Sequence, residues 1–126
     1  MGTGLMGKTY KDGEIIYRQG ELGDCMYVIH EGQVDEFQRK GSQEFLLRTL
    51  DKGDFFGEMA LFEDDVRPST MRASGKAIIL TLEKKTLLHR IHEEPSLAFR
   101  LLHRMTLRIR DLEGTLVRRG ADVTID

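Results

Sequence analysis

A second cysteine is missing. Cys25 stands alone, so no internal disulfide can form, and the chain fits a reducing, cytoplasmic setting. No apolar run approaches the length of a membrane span, and the opening Met-Gly-Thr-Gly-Leu-Met-Gly lacks the charged and apolar regions of a signal peptide. A basic excess is absent too: the formal net charge is −2, which argues against a general nucleic-acid or membrane-surface role. His30, His89, His92 and His103 are scattered, without a His-x-His and a downstream acid, so no metal site is expected. No Gly-Lys-Ser/Thr follows Gly57, which excludes a Walker loop, and no nucleophile–base pair marks a catalytic centre. These absences point to a non-enzymatic protein without a metal or a cofactor.

What is present is ordinary for a globular domain. The chain has 126 residues, 40% hydrophobic and 32% charged, enough for one core and too few for two. Residues 1–10 read as a leader, the kind of remnant that cloning leaves, and 11–126 as the domain. Glycines punctuate 11–83 every dozen residues or so, with β-like runs between them. The candidate strands are Glu14–Arg18, Met26–His30, Val34–Gln38, Phe45–Leu50, Ser69–Ala73 and Ala77–Leu82, at the spacing of a sandwich or barrel.

After Leu82 the period changes. Leu87, Leu88 and Ile91 predict a helix over about 84–93, ended by Pro95. A second helix over 96–119 has Gly114 as its weak point and Gly120 just past its end. Ala98, Leu102, Met105, Ile109, Leu112 and Leu116 step along it by fours and threes, the seam of a coiled coil. A homodimer through 98–116 is expected; the competing reading is a helix folding that face onto its own domain. Arg100, Arg104, Arg108 and Arg110 read as the wet face of this helix, and no helix-turn-helix follows to read DNA. The fold class is α+β, a β-roll followed by helices.

The densest chemistry lies in Gly53-Asp-Phe-Phe-Gly-Glu-Met-Ala-Leu and in Arg67-Pro-Ser-Thr-Met-Arg-Ala73. Gly57 lets backbone approach a ligand without a Cβ in the way. A helical turn from Glu58 directs free N–H groups towards whatever precedes it. Arg67 adds a planar, permanently charged donor fork, and Glu58 an acceptor suited to a sugar hydroxyl. An anion cradle, a guanidinium and a hydroxyl acceptor together describe a place for a small phosphorylated ribose. The bland readings are a solvated Arg67 neutralising Glu63, Asp64 and Asp65, and a Glu58 that merely complements a helix dipole.

With Gly20-Glu-Leu-Gly-Asp-Cys-Met-Tyr-Val-Ile-His-Glu-Gly32 as a third block, the sequence resembles the cyclic-nucleotide-binding domain family over about residues 10–118. That family includes catabolite-activator-type regulators, regulatory subunits of cyclic-AMP-dependent protein kinase, and cyclic-nucleotide-gated channels. The resemblance implies an eight-stranded antiparallel jelly roll (a double-stranded β-helix) with a hinge helix and a long C-terminal lid helix. It also implies that Glu58 accepts the ribose 2′-hydroxyl and that Arg67 pairs with a phosphate oxygen. The N–H groups near Gly57, Met59 and Ala60 would donate to the phosphate, with Ser69 as a further contact. Phosphate capture would order 57–70, and the hinge helix would settle through Leu87, Leu88 and Ile91 around Leu61 and Phe62.

Two departures stand out. The helix that precedes the β-roll in the family is missing or cut off, and the residue after the arginine is Pro68, which has no N–H to hold the phosphate. One donor of about 1–2 kcal/mol is thereby lost. In relatives that favour cyclic GMP a threonine there meets the guanine amino group, so Pro68 tilts the expectation towards cAMP over cGMP. Pro68 also keeps open a sensor of another ligand, such as a haem or an organic acid, and a degenerate dimerisation module. The effector domain or protein served is not visible in the chain.

Overall fold

The structure, a computed structural model, describes residues 6–61 and 65–118. Eight strands precede two helices: β1 (Met6–Tyr10), β2 (Ile15–Tyr17), β3 (Leu22–Gly23), β4 (Cys25–Lys40), β5 (Gln43–Leu50), β6 (Phe55–Phe56), β7 (Asp65–Val66), β8 (Thr70–Glu83), α1 (Lys84–Glu93) and α2 (Ser96–Arg118). A single 3₁₀ turn, Glu58–Leu61, follows β6. One sheet runs β1-β8-β4-β5, with β2 also on β8 and β6 on β4; β3 and β7 form a second, two-stranded sheet. Every pairing is antiparallel. This is the expected α+β architecture, an antiparallel jelly roll followed by helices.

Gly13, Gly20, Gly41 and Gly53 lie in turns as the sequence suggests, but Gly32 and Gly75 lie inside strands. Met26–His30 and Val34–Gln38 are one continuous strand, β4, and Ser69–Ala73 and Ala77–Leu82 merge likewise, apart from Ser69, into β8. At Gly32 the chain does not reverse. It takes a positive φ of 88° while the β4–β8 register slips between Ile29 and Gln33. That bulge lets Ile29 and Val34, of opposite parity along the strand, both lie buried in the core. A Cβ on Gly32 would collide with the Lys76 carbonyl oxygen and crowd Ala77. Tyr10, Tyr17, Leu50, Phe56, Met71, Ala73, Ala77 and Ile79 complete the core.

The leader expected over 1–10 is corrected in part. Met6–Tyr10 is a strand, in register with β8 from Met6↔Thr81 to Tyr10↔Ala77, and Tyr10 is buried in the core. Its Gly and Lys hide this from a composition reading, because the pairing edge of β8 supplies the order. Residues 1–5 lie outside the described residues, as do Phe62, Glu63, Asp64, Gly120 and the side chain of Leu116.

The chain divides into two compact units, up to Leu87 and from Leu88. In the first, Leu61 and Leu87 are both buried. In the second, Leu88 is 57% exposed. Of the predicted seam, Ala98 and Met105 are half-buried while Leu102, Ile109 and Leu112 are exposed. Glu94 pairs with Arg100 at 3.2 Å and its carbonyl accepts from the Leu97 N–H at the start of α2. Among the described residues no helix is long and apolar enough to cross a membrane. Because Gly32 combines a positive φ with a backbone clash, Gly32→Ala is expected to cost about 1–3 kcal/mol in urea unfolding. A variant as stable as the parent would show that the bulge relaxes.

Candidate ligand site around Arg67

Arg67 is not a solvated surface charge. It is 4% exposed, buried as deeply as the core residues. One guanidinium nitrogen donates to the Gly57 carbonyl at 3.0 Å, and another to the Cys25 carbonyl at 2.8 Å with the Cys25 sulfur at 4.0 Å. The guanidinium carbon lies 4.2 Å from the centroid of the Tyr17 ring and 5.7 Å from that of Tyr27. Tyr17, Tyr27 and Phe56 contact one another, the last two stacked at 5.2 Å. Among the described residues Arg67 has no carboxylate partner. A buried guanidinium, always protonated, thus keeps its charge in direct contact with carbonyl oxygens and aromatic rings, which is costly without an anion to meet it.

Two glycines make this placement feasible. A Cβ on Gly57 would come within 2.6 Å of an Arg67 nitrogen, and one on Gly23 would overlap the guanidinium itself. Gly57 was read from sequence as a point of close approach; the partner it approaches is Arg67.

The backbone of the arginine is tied on both sides. Its N–H donates to Glu21 O at 2.7 Å, and its carbonyl accepts from the Gly20 N–H at 2.9 Å. Pro68 is exposed, and its carbonyl accepts from the Gln38 side chain at 3.2 Å. Thr70 Oγ1 accepts from the Gln19 N–H at 3.0 Å. The expectation that ligand capture orders 57–70 therefore changes for 67–70, which the protein's own contacts already hold.

The remaining predicted residues are distributed unequally. Glu58 is half-buried, Met59 is 62% exposed and Ala60 is buried. The Ala60 N–H already donates to Gly57 O at 3.3 Å. Ser69 is 1% exposed, and its hydroxyl donates to Glu36 Oε2 at 2.6 Å. Ser69 would have to give up that bond to offer its proton to a ligand.

Glu36 and Arg48 were not read from the sequence. Arg48 Nε donates to Glu36 Oε1 at 2.6 Å, with side chains 29% and 14% exposed. Glu36 follows buried Val34 by two places on β4, so the two share one face. A carboxylate at an inward position of a strand was the available signal, and β5 brings Arg48 opposite it. Tyr17, Tyr27 and the Cys25 carbonyl were missed because nothing local marks a residue that will border a cation.

Burial pushes the Glu58 carboxyl above the usual carboxylate range. Its own backbone N–H and Arg48 oppose the shift, Glu36 adds to it, and Arg67 opposes it. Tyr17 is raised by burial, with Arg67 and Arg48 lowering it and Glu36 and Glu58 raising it. The same charged groups thus surround one small volume of the roll.

A sequence model of the family described as "Cyclic nucleotide-binding domain" matches residues 7–94. The chain belongs to that family. A cAMP-dependent protein kinase regulatory subunit of Blastocladiella emersonii is 39% identical over 77 residues, covering 60% of this chain and 19% of that protein. A cGMP-dependent protein kinase of Caenorhabditis briggsae is 42% identical over 80 residues, covering 61% and 11%. The chain therefore spans less than a fifth of either curated relative. The catabolite activator protein of Thermus thermophilus superposes with a TM-score of 0.77 at 29% identity, over 92% of this chain and 55% of that one. The cyclic nucleotide-binding fold thus accounts for β1 through α2.

The raised Glu58 carboxyl sets a sign for stability. The folded state favours the protonated acid more than the unfolded chain does, so ionisation above the usual carboxylate range costs stability. Glu58→Gln should melt at a higher temperature than the parent near neutral pH, with the gap closing as pH falls through that range. Scanning calorimetry across pH reads this; a lower melting temperature for the glutamine variant at neutral pH would reverse the argument.

Proposed function

We propose that the chain is a non-enzymatic regulatory module that reversibly binds a 3′,5′-cyclic nucleotide, cAMP in preference to cGMP. One observation carries the reading: the Arg67 guanidinium is buried with no carboxylate partner among the described residues, beside the backbone that follows Phe56. A cyclic phosphodiester is a monoanion, so it balances one such cation without lysine or magnesium. Arg67 would meet a phosphate oxygen, and the N–H groups of Gly57, Met59 and, shared with Gly57 O, Ala60 would complete the cradle. Glu58 would accept the ribose 2′-hydroxyl in its ionised form. Pro68 offers no donor, and Ser69 acts through Glu36 rather than at the phosphate.

The family membership and the kinase relatives support this class of ligand, and those relatives include both cAMP- and cGMP-dependent proteins. The preference for cAMP rests on position 68, where no hydroxyl is available to a guanine amino group. Transmission would run through α1 and α2. A ligand shifts their arrangement only by binding one arrangement more tightly than another. The exposed Leu102, Ile109 and Leu112 repeat at heptad spacing, which suits a second copy of this chain. A reducing compartment, the cytoplasm, suits the buried free Cys25.

Calorimetric titration with cAMP and cGMP tests the reading: heat is expected with both, and tighter binding with cAMP. Arg67→Ala should weaken binding by roughly 3–5 kcal/mol, on the order of a hundredfold or more in Kd. Unchanged affinity in that variant would remove Arg67 from the site. No heat with either nucleotide would favour a module that senses something else or only dimerises. For the helix, light scattering of Ile109→Asp should give a monomer mass where the parent gives a dimer.

A further inference from the structure

The roll encloses more charge than one phosphate requires. Besides Arg67 and Glu58 it holds Arg48 and Glu36, from β5 and β4, joined at 2.6 Å and largely shielded from water. Ser69, two residues beyond Arg67, ties the second oxygen of Glu36 at 2.6 Å. Glu36 therefore sits between the second guanidinium and the chain segment that carries the first. Taking Arg48 with Glu36, the pair is neutral, and Arg67 is left as a cation with no bonded carboxylate among the described residues.

We propose that Glu36 is a specificity-determining residue: by neutralising Arg48 it leaves Arg67 as the one guanidinium with no bonded carboxylate among the described residues, and so selects monoanionic cyclic phosphodiesters against dianionic nucleoside 5′-monophosphates. The inference rests on the cyclic-nucleotide reading above and deepens it. Charge count decides here because the groups are partly or fully buried, where an unbalanced unit charge is far more costly than in water. A cyclic nucleotide brings one negative charge to Arg67, while the Glu58 carboxylate faces the ribose and adds no cation to the site. A 5′-monophosphate brings close to two above its second pKa of about 6, and the extra one has no partner while Glu36 holds Arg48. The rejection is an unpaired charge built against the wrong ligand, and it needs no steric block.

The experiment compares Kd for a cyclic nucleotide and for its 5′-monophosphate at about pH 7.5, where the monophosphate is mostly dianionic. The parent, Glu36→Gln, Arg48→Gln and the double variant are titrated, with melting temperatures recorded for each. Glu36→Gln adds one positive charge and should narrow the ratio of the two Kd values by about tenfold. Arg48→Gln removes one and should widen it by about the same factor. The double variant restores the parent's charge and should return the ratio to within about twofold of the parent's. If Glu36 only positioned Ser69, the ratio would not follow charge, and the double variant would bind no better than either single one; that result overturns the proposal. Should Glu36→Gln fail to fold, Arg48→Gln alone decides, an unchanged ratio being the contrary outcome. Binding of the cyclic nucleotide by the parent with a ratio that ignores charge sinks this inference alone. Failure of the parent to bind any cyclic nucleotide sinks it together with the reading beneath it.

Discussion

A guanidinium held by carbonyl oxygens instead of a carboxylate is the constraint on which the site depends. Arg67 fills the space that Gly23 and Gly57 leave open, rests on the face of Tyr17, and donates to the backbone of Cys25 and Gly57. Those contacts fix the direction of the side chain, and among the described residues no carboxylate bonds to it. Had an aspartate taken the place of either carbonyl, the same geometry would form an internal ion pair with little to offer an anion. The desolvation cost is offset by core packing around Tyr17 and Phe56 and by the backbone bonds that anchor 67–70.

The two long strands explain how residues distant in sequence converge on that point. β4 delivers Cys25 and Tyr27 at one end and Glu36 and Gln38 at the other, and β8 begins immediately after the arginine segment. The bulge at Gly32 changes which face each half of β4 presents. Val34 then closes the apolar core, while Glu36, on the same face, opens the polar cluster. The acidic character of position 36 is thus tolerated because Arg48 and Ser69 both bond it. A cation, a carboxylate and a hydroxyl in that arrangement leave none of the three buried alone.

Pro68 illustrates how tertiary contacts alter the meaning of a local departure. From the sequence it is the loss of one amide donor beside the arginine. In the fold its carbonyl is bonded by Gln38, and its neighbours are bonded by Glu21, Gly20, Glu36 and Gln19. The segment is therefore well fixed even though it contributes one fewer N–H. Ser69, expected as a ligand contact, is in the fold a link between the segment and β4.

Gly57, Glu58 and Arg67 were legible because glycine, carboxylate and arginine lie within one short stretch whose turn chemistry is local. The helices were legible for a similar reason: Leu87, Ile91, Leu102 and Ile109 carry a period that a chain shows before it folds, and Pro95 separates them. Class and order of elements follow from such short-range patterns. Merging of the strand candidates at Gly32, the pairing of Met6–Tyr10, and the meeting of Glu36 with Arg48 follow instead from register between strands far apart in the chain. A one-residue slip would turn Glu36 to the opposite face, and the composition would be unchanged. The sequence by itself determined the class of the fold, its two helices and an arginine beside a glycine-framed turn; only the tertiary structure decided that this arginine is buried with no carboxylate partner among the described residues while Arg48 is neutralised, because burial and partner are properties of the packed sheet.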